Sequence, residues 1–208
     1  MTKLRSLDQL IDVASRVLGE KGAENFSLDD IAAEFGMHRS SLYYYISNKA
    51  ELLDLVERQR LVVIADEIKR ITLSSEPPRQ KLLTAIQAHL RHIDRFYPES
   101  KTWNPLRSDF VTEPAEDDEG AKLASDIGSC FRAIIEDGMA SGEFSCIGEP
   151  RIVAFAILGM CNWVTRWYRK GGKLSIDEIS EMFIRLIEAG LVPATADASP
   201  PATALRRR

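Results

Sequence analysis

The sequence predicts an all-α fold, and three observations carry that prediction. Apolar residues recur at i, i+3, i+4 and i+7 through nearly every segment. Several stripes begin at a Ser or Asn with an acid or amide three residues later, the mark of a helix start. No segment alternates apolar and polar residues as a half-buried strand does, and no internal repeat is present.

The first helix carries Leu7, Leu10, Ile11, Ala14, Val17 and Leu18, opens at Ser6 with Gln9, and stops at Gly22. Ser27 with Asp30 starts a short second helix that ends near Gly36. Gly36-Met37 is a tight turn into a third helix, from about His38 to Ile46. Asn48 with Glu51 forms a capping box for a long fourth helix through Leu52, Leu53, Val56, Val63, Ile64, Ile68 and Ile71. Pro77-Pro78 open the fifth, where a missing N–H does no harm; its stripe is Leu82, Leu83, Ile86, Leu90, Ile93 and Phe96. From Tyr97 to Gly120 the pattern breaks, with Pro98, Pro105, Pro114 and the acidic run Glu116–Glu119; this reads as a loop with one short helix near Leu106–Val111. Helix resumes from about Lys122 to Met139, pauses near Gly142, and runs again from about Glu149 to Tyr168. Gly171-Gly172 is a turn, and Ser175 with Glu178 caps a last helix to about Ala189, with stripe Ile176, Ile179, Met182, Phe183, Leu186 and Ile187. The Ala/Pro/Thr-rich tail ending in Arg206-Arg207-Arg208 reads as disordered.

Composition narrows the class of protein. The 208 residues carry 27 Lys+Arg against 31 Asp+Glu, and 45% are apolar, which is ordinary for a soluble globular protein. Cys130, Cys146 and Cys161 form no even set and no CxxC pair, which fits a reducing compartment and argues against a zinc module; no metal ligand set or cofactor motif is expected. The start lacks the apolar core of a signal peptide. The longest near-uncharged run, Ile152–Val164, falls short of the roughly 20 residues a membrane span needs. The expectation is a cytoplasmic protein with no membrane partner. No Ser/His/Asp order with elbow glycines, Gly-rich phosphate loop or HExxH is present, so no enzyme is expected.

The third helix holds the most chemistry. It reads His38-Arg39-Ser40-Ser41-Leu42-Tyr43-Tyr44-Tyr45-Ile46. Leu42 and Ile46, at i and i+4, anchor one face. Three consecutive tyrosines fan over about 200° of a helix, so they cannot all be buried. Arg can bind guanine O6/N7 with two donors, an aromatic ring can meet a thymine methyl, and Ser and Tyr hydroxyls reach phosphates. From Ser27 to Ile46 the length suits a helix-turn-helix unit. Residues 1–50 nevertheless carry six Lys/Arg and seven Asp/Glu, a sum of −1, so the general attraction to DNA is weak and direct contacts must matter more.

The sequence resembles the TetR family of transcriptional regulators through Phe26-Ser27-Leu28-Asp29-Asp30-Ile31-Ala32, Gly36–Ile46 and Asn48-Lys49-Ala50-Glu51-Leu52-Leu53. The resemblance implies a helix-turn-helix domain over 1–47, a helical ligand-binding and dimerisation domain over 48–192, and a tail over 193–208. It implies that Arg39, Ser40 and Tyr43 reach bases of a double-stranded operator, that Ser27, Ser41, Tyr44, Tyr45 and Lys49 hold phosphates, and that His38 starts the reading helix. The alternative is a helical adaptor whose tyrosines meet another protein.

Ile152–Val164 is apolar on nearly all sides and must be covered all round. Ile152, Phe155, Ala156 and Gly159, with Ile179, Phe183, Leu186 and Ile187 of the last helix, are expected at a two-fold interface of a homodimer. His89 and Phe96 of the fifth helix and the aromatic residues Trp103, Phe110, Phe131, Trp163 and Trp167 are candidates to line an effector pocket, with ordinary core packing as the alternative. The segment Asn162–Tyr168, Gly171-Gly172, Leu174 and Ile176–Ile179 resembles TetR-family regulators of fatty-acid and steroid-ring degradation, which implies an acyl-CoA thioester as the effector.

Overall fold

The computed structural model describes residues 6–22, 25–96 and 119–193. These form eight helices and, among the described residues, no strand: α1 (Leu7–Lys21), α2 (Leu28–Phe35), α3 (Arg39–Leu42), α4 (Lys49–Thr72), α5 (Pro78–Arg95), α6 (Glu119–Ser141), α7 (Pro150–Trp167) and α8 (Ile176–Leu191). The expected helix near Leu106–Val111 and the tail beyond Pro193 lie outside the described residues.

The helix starts are where the side chains place them. Ser6, Ser27 and Ser175 each close a reciprocal box with the residue three places on. Asn48 closes only half of one. Its Oδ1 accepts from Glu51 N at 2.9 Å, but the Glu51 carboxylate reaches past it and accepts from Ser47 N at 2.5 Å. α3 is shorter than the periodicity suggests. Beyond Leu42 the backbone tightens, with Tyr45 N donating to Leu42 O at 2.8 Å, so that Leu42 and Ile46 both turn inward before α4 starts.

Two hydrophobic clusters organise the chain. The first gathers α1, α2, Leu42 and Ile46 with Leu52 and Val56 of α4. The second takes Ile64 and Ile68 of α4 with the inner faces of α5 to α8. α4 therefore threads both, and its first two turns pack with the N-terminal cluster. Gly138 is required by the second. A Cβ there would lie 2.0 Å from the ring of Phe144, which is itself buried.

Candidate nucleic-acid interface and regulatory core

α2 and α3 are fixed to one another by a left-handed glycine. Gly36 at φ 70° and ψ 44° reverses the chain, and Met37 N donates to Ala32 O at 2.9 Å. Leu42 and Ile46 are buried, while His38, Arg39, Ser40, Ser41, Tyr43 and Tyr44 are exposed. Tyr44 is 83% exposed, far more than a packing role requires. Tyr45 is half-buried, edge-on to Phe35 and to Tyr44.

The charged groups of this head are paired. Arg39 Nη1 donates to Asp29 Oδ2 at 2.9 Å. A hydrogen bond with Tyr43 and the Asp29 carboxylate raise the Arg39 pKa further. Lys21 Nζ donates to Asp30 at 2.6 Å, and with the two Ser27 hydrogen bonds it pulls Asp30 down to about 2. The Ser27 hydroxyl is already engaged with Asp30 as the α2 cap. Lys49 Nζ donates to Phe26 O at 2.7 Å and sits 3.9 Å over the Phe26 ring, so in this conformation it braces the loop before α2.

The body encloses a polar group within an apolar core. His89 is buried, with Nε2 2.7 Å from Asn162 Oδ1 and its ring edge-on to the fully buried Phe131. Burial pushes His89 down to about 4, the Asn162 contact opposing the shift. His92 is pushed to about 2, first by burial and then by the nearby Arg60 guanidinium. Arg60 is itself buried and paired with Glu57. Among the described residues, His89 Nδ1, His92 Nε2 and Ser180 Oγ have no hydrogen-bond partner. A cleft of about 240 Å³ follows the α5 face from Thr84 to Arg95, with His92 and, from α4, Glu67 in its lining. Phe96 is half-buried, its ring 4.6 Å from that of His92.

The remaining aromatic candidates separate. Trp103 and Phe110 lie outside the described residues. Trp163 and Trp167 do not join His89 and Phe131: they are 59% and 46% exposed, because helical spacing from Ile152 through Ala156 and Gly159 carries Trp163 onto the outer face of α7. Phe155 lies half-buried at the edge of this strip. On α8, Ile179 and Ile187 turn into the chain's own core, so the placement differs from the expected interface set. Leu186 of the expected set is exposed, Met182 is exposed beside it, and Phe183 is half-buried between the two faces. The sequence assigned no role to Asn162, Arg60 or Asp29, since each acquires its meaning from a partner in the folded chain.

An exposed polar and aromatic reading helix, set in a helix-turn-helix head and joined by one long helix to a helical body, defines a DNA-binding regulator. Residues 10–56 match the model of bacterial regulatory proteins of the tetR family, and residues 75–191 match the Tetracyclin repressor-like C-terminal domain. The chain belongs to the TetR family of transcriptional regulators, which are not enzymes. It is 24% identical over 199 residues to the transcriptional repressor KstR2 of Mycolicibacterium smegmatis, covering 91% of this chain and 92% of that one. The fold matches a TetR/AcrR-family regulator from Thermobifida fusca with a TM-score of 0.72 and 26% identity, over 87% of this chain and 95% of that one. It also matches FadR of Bacillus subtilis, solved with stearoyl-CoA, with a TM-score of 0.69 and 19% identity, over 89% of this chain and 99% of that one. No helix among the described residues is long and apolar enough to cross a membrane.

Proposed function

We propose that two copies of this chain repress transcription by binding a palindromic operator, and that a hydrophobic effector, an acyl-CoA thioester, releases them. The observation that carries the reading is the surface of α3. Its apolar residues are used up in the head's core, and every other side chain from His38 to Tyr44 is exposed beside a paired arginine. On this reading Arg39, Ser40 and Tyr43 meet base edges, while Ser41, Tyr44 and Tyr45 hold phosphates, the roles their side-chain chemistry suits. Ser27 and Lys49 reach phosphates only by sharing or leaving the partners they now have.

Dimerisation rests on the strips of α7 and α8. Ile152, Trp163, Met182 and Leu186 are each more than half exposed, an unusual concentration of large apolar side chains. Covered by their two-fold copies, they place two reading helices on one duplex, as a palindrome requires. The body over 48–192 would then hold both interface and effector. The likeness to FadR solved with stearoyl-CoA favours a thioester. Its release of DNA requires different affinity for the DNA-bound and free conformations, with α4 as the connecting element.

Selection from a randomised duplex pool by fluorescence anisotropy, repeated with long-chain and steroid-derived acyl-CoAs, tests the proposal. A palindrome released by one thioester is the expected result. A palindrome indifferent to every thioester overturns the effector. No enriched sequence overturns the DNA reading and makes α3 a protein-binding surface.

A further inference from the structure

Among the described residues of the head, up to Ala50, there are four basic side chains, and each has an intramolecular partner. Arg16 meets Glu34 at 3.0 Å, Lys21 meets Asp30 at 2.6 Å, Lys49 meets the Phe26 carbonyl at 2.7 Å, and Arg39 meets Asp29 at 2.9 Å. Only the last pair involves a residue of α3. Both of its side chains are more than half exposed, Asp29 in the first turn of α2 and Arg39 at the start of α3.

We propose that Asp29 sets the sequence specificity of the reading helix by holding Arg39. The proposal rests on the DNA-binding reading above and adds to it a residue that itself reads no base. A guanidinium has five N–H donors in a rigid planar fork. The contact with Asp29 uses Nη1, which leaves donors for an acceptor pair such as guanine O6 and N7. Tyr43, one turn along, also favours the charged guanidinium. The same carboxylate acts against the alternative use of Arg39. On DNA of arbitrary sequence an arginine gains most by turning to a phosphate, and that move must separate it from Asp29 and bring a carboxylate near the phosphate backbone. A guanine in reach can be bound without breaking the pair. Asp29 is thus a positioning residue that lowers affinity for random DNA more than for the operator.

The test compares wild type, Asp29→Asn and Glu34→Gln on the enriched duplex, its single-base variants and a random-sequence duplex, at several salt concentrations. Glu34→Gln removes the same charge from the same head without touching Arg39. In Asp29→Asn, random-sequence binding should tighten about two- to fivefold, the range of an exposed ion pair. Its salt slope should steepen by about one as Arg39 turns to a phosphate. Operator binding should stay level or weaken, and the preference at one G·C pair should relax. Glu34→Gln should move both duplexes by one factor. Asp29→Ser, which keeps a hydroxyl in the first turn of α2, should reproduce Asp29→Asn, and thermal midpoints report whether each variant is folded. The proposal is overturned if Asp29→Asn shifts operator and random DNA by the same factor, as a charge effect or a structural defect would. Wild type that binds no duplex sinks the DNA reading itself, and is visible before any variant is measured.

Discussion

Acid should destabilise this protein in a window set by two buried histidines. His89 lies at about 4 and His92 at about 2, both below the ordinary value of 6.5, because burial disfavours their charged forms. The unfolded chain therefore takes up protons near pH 6.5 that the folded chain refuses. Stability is complete above that pH and falls as the pH drops toward the folded values. At pH 5 the difference is 1.5 pH units per histidine, or about 2 kcal/mol each and about 4 kcal/mol together. The lowered carboxylates Asp30, Glu51 and Glu178 give way mainly at lower pH, so the window from 6.5 to 5 isolates the histidines. Urea unfolding at pH 7 and pH 5 measures the loss. Replacing the hydrogen-bonded pair together, His89→Leu with Asn162→Leu, should halve it. Removing both partners of a buried bond leaves no orphan, so stability at pH 7 should change far less than in Asn162→Leu alone. Equal stability at both pH values, or a double variant with the full loss, refutes the reasoning.

Two further predictions concern the body. Leu186→Glu places a charge where a 64% exposed leucine should meet its two-fold copy, and should convert a dimer into a monomer of 23.3 kDa with unchanged helix content; sedimentation velocity reads this directly, and an unchanged mass contradicts the interface. Gly138→Ala drives a Cβ into the buried Phe144 ring and should cost about 1–3 kcal/mol in urea unfolding; a neutral result means that the ring has room to move.

Much of the fold was legible because its signals are local. Ser6, Ser27 and Ser175 fix helix starts through atoms three residues away, and the apolar stripes of α1, α5 and α8 follow from one helical period. The end of α3 was less legible, since the hydrogen-bonding shift after Leu42 depends on where α4 must begin. The exposed surface of α3 was legible because three successive tyrosines cannot share one buried side. The faces of α7 and α8 were not. A wide apolar stripe has two edges, and its sequence does not say which faces the chain's own core: Ile179 and Ile187 turn inward while Met182 and Leu186 turn outward. Trp163 and Trp167 were drawn toward an interior by size alone. His89 and Asn162 are 73 positions apart, so no periodicity links them. Lys49 reads as a phosphate ligand by charge, yet here it braces the Phe26 carbonyl.

The most direct test of the central claim is the affinity of Arg39→Ala for the enriched duplex and its single-base variants. Wild type should discriminate at one G·C pair in each half-site. Arg39→Ala should lose about 1–3 kcal/mol of binding and become indifferent at that pair while keeping its other preferences. If Arg39→Ala binds every duplex as wild type does, α3 does not read DNA, and its exposed tyrosines belong to a contact with another protein.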